Sequence, residues 1–540
     1  MRYNAAMQMI SNTRARTEIP IADVLALLKS KEGVIAELTQ QIDSLKHQLD
    51  WFKRQMFGTK SERFVDNPAQ LSLGASMPLP DKPIEPTRNV PAHTRRIAQT
   101  DLDKAKDAEA QPFFDESRVP VETIVVNAPE QATLTPDQYQ VISEKVSYRL
   151  AQRPGSYVVL KYVRPVIKIL DSKQLVCAPA PAGVIEGSRA DVSFVTGLIV
   201  DKCAYHTPLY RQHLKLTDNG FTLTRPWLTQ VVQKGIGLLE PIYDAQLNSI
   251  RTSRVKAMDE TPIKAGRIAG DGNQPGKMKS GYFWPVYGEL DEVCFPFFAS
   301  RETKCVSAVL GLTQSETAVL LTDGYAAYNA YANKTGMTHA RCWVHARREF
   351  FEAQASNPDG VRQALEQIGA LYDIEEDIRK NELGRENKRL YRLEHSKPRV
   401  ELFFEWIDEQ FARHGLLPSN PFTKALGYAR AARQGLEVFL TDPDVPMDTN
   451  HIERALRVIP MGRKNWNFCW TEMGAQHIGI AQSLIVTCRL HDIDPYTYLV
   501  DVLQRVSQHP ASRVAELTPR LWKQHFAANP LRSDLYRTAK

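Results

Sequence analysis

Apolar positions repeat every seven residues near the start of the chain. Leu28, Ile35, Ile42, Leu49 and Met56 form one track, and Leu38, Leu45 and Phe52 fall three places after three of its members. Lys31 interrupts the second track. An a/d pattern held over about four heptads predicts a coiled coil; the other reading is a long amphipathic helix packed on its own domain. Gly58 marks its end and GTKSERF is a basic exit, so residues 1–64 read as one helical unit. The period then vanishes. Residues 65–120 are rich in Pro and poor in large apolar side chains (NPAQLSLGASMPLPDKPIEPTRNVPAHTRR), as an extended linker is. Over 121–185 the β-branched runs VETIVV, SYVVLKYVRPVIKIL and KQLVCAPAPAGV predict a small β module.

Helical spacing takes over at 186–250. In HTPLYRQHLKLTDNGFTLTRPWLTQVVQKGIGLL one helix ends near Asn219-Gly220 and a second starts after Thr224, with Pro226 in its first turn. Helix, glycine turn, helix is the outline of a DNA-binding helix-turn-helix and equally of an ordinary α-hairpin. Residues 251–345 alternate between strand and helix patterns. SRVKAMDETPIKA is a predicted strand ending in acid, SGYFWPVYGEL and EVCFPFFAS form a hairpin, RETKCVSAVLGL is helical, and TAVLLTDGYAAYNAY opens on an apolar strand. Residues 346–444 are helical and charged, an all-helical insertion in the α/β unit. Two more helical stretches fill 445–508, and 509–540 is a polar, weakly patterned tail. The expected fold class is multidomain α/β.

Composition narrows the function without choosing it. A chain of 540 residues has ample length for a large core, and 43% hydrophobic with 24% charged residues is ordinary for a soluble protein. The net charge of +6 permits a nucleic-acid partner without demanding one. Seven scattered cysteines with no CxxC argue against a disulfide framework and for a reducing, cytoplasmic setting. No run approaches the roughly 20 apolar residues of a membrane span, so no membrane partner is expected.

Three acids stand out by context. Asp259 and Asp323 each end a β-branched strand, in VKAMDET and VLLTDGY, and Glu453 lies on a helix in NHIERAL. Carboxylates at strand ends project into the crevice where open α/β sheets bind ligands, and a helix laid on the sheet can bring a third. Oxygen ligands suit Mg²⁺ or Mn²⁺, and two such ions about 4 Å apart suit phosphodiester cleavage and transfer. Taken singly, each acid is as readily a turn, cap or surface residue. Basic residues lie close by. Arg454 and Arg457 follow Glu453, and Arg463, Lys464, Asn465 and Trp466 combine cations, an amide and an aromatic ring, a mix suited to a DNA backbone beside a distorted base. In THARCWVHARREFF, His345, Arg347 and Arg348 face either phosphate or their own domain. His339, Cys342 and His345 are spaced like zinc ligands but lack a fourth, so zinc is not expected. Asp448, with Thr449 and Asn450, reads as a helix cap rather than a ligand.

The order of these elements resembles the ribonuclease-H-like core of DDE transposases, and the fine print resembles the insertion-sequence-66 family. LKHQLDWFKRQMFGTKSERF, YHTPLYRQHLKL, MDETPIK, LLTDGYAAYN, RCWVHARREFFEA, NHIERALRVIPMGRKNWNF and PYTYLVDVL carry that resemblance, across most of residues 20 to 505. The resemblance implies that Asp259, Asp323 and Glu453 are the first, second and third catalytic acids and hold two Mg²⁺ ions. It implies an insertion that covers the active site and touches DNA, terminal inverted repeats and target DNA as partners, subunits paired by the coiled coil, and accessory proteins encoded by the same element. One departure stands out. Family members usually carry a cysteine-bearing, zinc-finger-like motif just before the β module, where this chain reads NAPEQATLTPDQYQVISEKV. The expected activity is metal-dependent cleavage at element ends followed by 3′-hydroxyl strand transfer. The alternatives are a non-catalytic, end-bridging DNA-binding protein and a nuclease or resolvase with the same core and no strand transfer.

Overall fold

A computed structural model describes residues 113–536 apart from 116, 118, 154, 270–275, 313–315 and 414–416. The coiled-coil positions Leu28 to Met56 and most of the predicted linker lie outside the described residues. The last part of that linker behaves otherwise than its composition suggests. Phe113, Phe114 and Val119 are buried, and Phe114 bridges to Phe221.

The β module comprises β1 (Val121–Val125), β2 (Tyr139–Arg153), β3 (Ser156–Ile169) and β4 (Leu175–Cys177), in the order β1-β3-β2 with β4 also on β3. Four helices follow: α1 (Val192–Cys203), α2 (Leu209–Asp218), α3 (Arg225–Leu238) and α4 (Glu240–Thr252). The glycine turn between α2 and α3 forms as the pattern predicts. Gly220 has φ 90°, and the Thr224 hydroxyl accepts from the Trp227 N–H at 3.4 Å to cap α3. Helix α3 turns Leu228, Val231, Val232 and Ile236 into the core, while α2 leaves Tyr210 and Leu214 exposed.

The α/β unit holds two sheets rather than one. A five-stranded sheet runs β12-β11-β5-β8-β9, built from β5 (Val255–Met258), β8 (Val286–Gly288), β9 (Glu292–Cys294), β11 (Val319–Thr322) and β12 (Thr338–Arg341). Strands β5, β11 and β12 are parallel, and β8 is antiparallel to β5 and to β9. A three-stranded sheet runs β10-β7-β6, from β6 (Thr261–Ile268), β7 (Lys277–Phe283) and β10 (Phe297–Phe298). The single hairpin expected over 280–300 is thus shared between the sheets. Its two arms break at Pro285 and Pro296, which cannot donate to a ladder. Trp284 N–H still reaches the Pro296 carbonyl at 2.8 Å across the break. The strand expected to end in acid does so: β5 stops at Met258, just before Asp259, and β6 begins anew at Thr261.

Helices cover this frame. α5 (Thr303–Leu310) and α6 (Ala326–Thr335) flank the large sheet. From α7 (Trp343–Glu352) the insertion continues through α8 (Pro358–Lys380), α9 (Arg385–Tyr391), a π-helical turn (Arg392–Ser396), α10 (Lys397–Ala412), α11 (Pro421–Ala431) and α12 (Arg433–Thr441). Its apolar faces meet in the main core through Trp343, Phe350, Phe403 and Phe439. The chain returns as α13 (Asn450–Leu456), α14 (Val458–Trp466), α15 (Glu472–Leu490) and α16 (Pro495–Arg505). Helix α15 is apolar nearly all round, as a helix packed on every side must be. A Cβ at Gly479 would lie 2.2 Å from the Phe295 carbonyl oxygen, so only glycine lets α15 sit this close to the sheet. The predicted polar tail, as far as Tyr536, also joins the fold: α17 (Pro519–His525) packs Trp522 into the core, and Leu517 and Leu535 are buried. Those apolar side chains are too sparse to give a period, yet each finds a pocket.

Candidate active site

Strand β5 ends at Met258 and β11 at Thr322, each fully buried and followed at once by an aspartate. The two strands are parallel neighbours with Leu321 opposite Ala257, so continuing the register sets Asp323 beside Asp259. Asp259 also stands at the seam of the two sheets, where its N–H donates to the Pro285 carbonyl at 3.2 Å. Helix α13 brings Glu453 to the same place. Asp259, Asp323 and Glu453 line one open cleft of about 400 Å³, with Glu260, Arg301, His345, Arg348, Leu456, Arg457 and Pro460.

The electrostatics of the cleft follow from burial and from acids set close together. Burial first, and then Glu260, Asp323 and Glu453, push the Asp259 carboxyl up to about 7, against the hydrogen bond it accepts from the Glu260 N–H at 2.8 Å. Asp323 accepts from the Tyr325 N–H at 2.9 Å, and its carbonyl accepts from the Tyr428 hydroxyl at 2.5 Å. Gly324, next in sequence, has φ 94°, and a Cβ there would fall 1.7 Å from Arg341 Cζ. Glu453 accepts from the Thr449 hydroxyl at 3.2 Å and lies 3.8 Å from the Arg348 guanidinium. A set of carboxylates that repel one another in a shared cleft fits a hard divalent cation such as Mg²⁺ or Mn²⁺, which binds oxygen and would remove the repulsion.

Two charged residues of the cleft carry no mark of it in the sequence. The Glu260 side chain is only 5% exposed. It accepts from Arg301 Nε at 3.0 Å and from the Tyr328 hydroxyl at 2.6 Å. Arg301 lies over the Tyr325 ring at 4.2 Å, held yet open to the cleft. The doublet Asp259-Glu260 was the available signal, but nothing in the sequence pairs Glu260 with an arginine so far downstream.

The basic residues divide. His345, Arg348 and Arg457 line the cleft; Arg347, Arg454 and Lys464 are exposed outside its lining. Arg463 donates to the Pro262 carbonyl, and Asn465 donates back to the Met461 carbonyl at 3.2 Å. Trp466 lies over Gly462, where a Cβ would be 2.4 Å from the ring. The exposed ring nearby is instead Trp470, edge-on to Phe468 at 5.0 Å. Asp448 does not line the cleft: its two oxygens accept from the Asn450 backbone N–H at 3.0 Å and side-chain amide at 2.6 Å, as a helix-start residue does. His339 is tied to Thr322 at 2.8 Å and Asn329 at 2.5 Å, whereas Cys342 and His345 gather with Glu453.

Comparison with known proteins adds a family. A model described as "Transposase IS66 family" matches residues 187–477, more than half of the chain. "IS66 C-terminal element" matches 483–520, and "Transposase C of IS166 homeodomain" matches 44–123. Two uncharacterized proteins of Sinorhizobium fredii are each 27% identical: y4hP over 516 residues, 90% of both chains, and y4jD over 515 residues, 91% of this chain and 96% of the relative. Among solved structures, the Drosophila P element transposase strand transfer complex aligns with TM-score 0.20 and 12% identity, over 66% of this chain and 87% of that one. A likeness of that size carries no argument.

Proposed function

Because the chain belongs to the IS66 transposase family, we propose that the cleft of Asp259, Asp323 and Glu453 is the active site of a DDE-type DNA transposase, which cleaves at the ends of its element and joins the freed 3′-hydroxyl to target DNA. The observation that carries this reading is the convergence of the three acids, two from neighbouring parallel strand ends and one from a helix 130 residues and more downstream in the fold's order, on one cleft edged with cations. The five-stranded sheet with its antiparallel β8 supports a ribonuclease-H-like core.

Asp259, Asp323 and Glu453 would hold two Mg²⁺ or Mn²⁺ ions, which when bound would activate the attacking oxygen and stabilise the leaving one. The chain's own part is positioning and charge. Asp259 and Asp323 are fixed by backbone N–H donors from the residues just after them, so their carboxylates keep a set direction without a rotamer search. Arg301, braced by Glu260 and Tyr325, and Arg348 and Arg457 offer guanidinium groups to phosphate oxygens around the scissile bond. In each step a hydroxyl oxygen bonds to phosphorus as the phosphorus bond to the leaving oxygen breaks. The nucleophile's proton leaves to solvent and the leaving oxygen gains one. Arg347, Arg454 and Lys464 extend the basic surface along the DNA, and the match described as a homeodomain supports a further DNA contact within 44–123.

The test is cleavage and strand transfer on a duplex carrying the element's inverted repeats, with Mg²⁺ or Mn²⁺, for wild type and for Asp259→Asn, Asp323→Asn and Glu453→Gln. Each variant is expected to bind the duplex and lose both reactions. Joining at the wild-type rate would remove that residue from the mechanism. A wild-type chain that binds the repeats and never cuts them is an end-bridging protein instead.

A further inference from the structure

At the wall of the cleft, three donors of different chemistry converge. Cys342 is the residue before α7 and His345 lies in its first turn, so the i, i+3 spacing puts both on one helix face. Glu453 faces them from α13. One ligand atom from each, a thiol sulfur, an imidazole nitrogen and a carboxylate oxygen, lies within 4.8 Å of the other two. The ligand atoms of a single tetrahedral zinc ion sit roughly 3.5 Å apart, so a modest closing of the trio reaches zinc geometry. Further observations point to a ligand here. His345 Nδ1 is buried with no hydrogen-bond partner, an unmet ring nitrogen that a bound cation would satisfy. The Thr449 hydroxyl lies 3.1 Å from Cys342 Sγ and 3.2 Å from Glu453 Oε1, so it stands where its one proton could serve either ligand as an outer-shell donor.

We propose that Cys342, His345 and Glu453 form a site for a thiophilic divalent cation of the zinc class, and that filling it draws Glu453 away from Asp259 and Asp323. The donor set decides the ion. Thiolate and imidazole select zinc over Mg²⁺, whereas the three-acid cleft selects the reverse. Metal binding displaces the Cys342 proton to solvent, so that the thiolate is the ligand. Glu453 cannot serve both sets at full strength, so zinc acts as a brake on hard-metal chemistry. The consequence for catalysis rests on the proposed function; the binding site does not.

Cobalt(II) substitution tests it on the full-length protein without DNA. A thiolate-to-cobalt charge-transfer band is expected in the wild type, lost in Cys342→Ala and in a second variant, Cys342→Ser, with zinc displacing the cobalt. Thermal melts of each variant would establish that it is folded. No band in the folded wild type, or an equal band in both cysteine variants, overturns the site. If cleavage is then measured in Mn²⁺, micromolar zinc should inhibit the wild type at least tenfold more than Cys342→Ala; equal inhibition overturns the brake.

Discussion

Asp259 carries two consequences of its surroundings. Folding raises its pKa from an ordinary 3.8 to about 7, so the folded state holds this proton more tightly than the unfolded chain does. The stabilisation is complete below the lower value and is lost as pH rises through the upper one. In metal-free buffer the stability is therefore expected to fall between about pH 4 and about pH 7, by at most roughly 4 kcal/mol, and the melting temperature with it. Asp259→Asn should flatten that slope, and added Mg²⁺ should raise the wild-type melting temperature most at the alkaline end. A pH-melt series in which the variant tracks the wild type would refute the assignment. Gly324 is the second residue-scale case. Its φ of 94° strains any side chain, and a Cβ would displace the Arg341 guanidinium from beside Tyr428. Gly324→Ala should cost about 1–3 kcal/mol in chemical denaturation and shift the neighbouring Asp323. Unchanged stability would mean that the loop has an alternative path.

At the scale of elements, the segment before α13 is held by the insertion, and one side chain does most of the holding. Arg392 is fully buried in the π-helical turn. Its Nε and Nη2 each meet Glu375 at 2.7 Å, and its Nη1 donates to the carbonyls of Phe439 at 2.8 Å, Val445 at 3.1 Å and Asp442 at 3.3 Å. Arg254, at the start of β5, grips the same segment from the other side through Asp442 at 2.6 Å and Asp444 at 2.6 Å. The helical insertion thus sets where the chain re-enters the α/β unit before Glu453. Arg392→Met should destabilise by roughly 3–5 kcal/mol, because Glu375 would be left charged without its partner. Adding Glu375→Gln should recover part of that loss, so the double variant falls short of the summed single effects in urea titrations. Strict additivity would show that the pair is not coupled.

For the whole molecule, charge and assembly make separate predictions. If Arg457 contacts a DNA phosphate from the edge of the cleft, Arg457→Ala should weaken binding to every duplex alike and reduce the salt slope of log K by about 0.9. A change confined to one sequence would assign it to base readout instead. If the heptads of residues 28–56 pair subunits, Ile42→Asp with Leu45→Asp should halve the mass seen by sedimentation. The same mass for both would leave the helix packed on its own chain. No helix among the described residues is long and apolar enough to cross a membrane.

The sequence by itself determined the local elements and the two strand-end aspartates. A β-branched run closed by an acid is a local pattern, and Val255–Met258 and Val319–Thr322 are short, apolar and sharply bounded. Gly220 and Thr224 likewise punctuate α2 and α3 through chemistry that acts within a few residues. Glu453 was legible only as a member of an ordered set, because one glutamate on a basic helix has no local mark. Tertiary structure alone decided the rest. Only folding divided one hairpin between two sheets at Pro285 and Pro296, and set Asp259 at their seam. Only folding brought Arg301 to Glu260, turned Trp466 back onto Gly462, and gathered Cys342 and His345 around Glu453 while His339 went elsewhere. The reason is one of range. Propensity, capping and periodicity act between neighbours in the chain, whereas these partners are joined by packing, which no spacing along the sequence records.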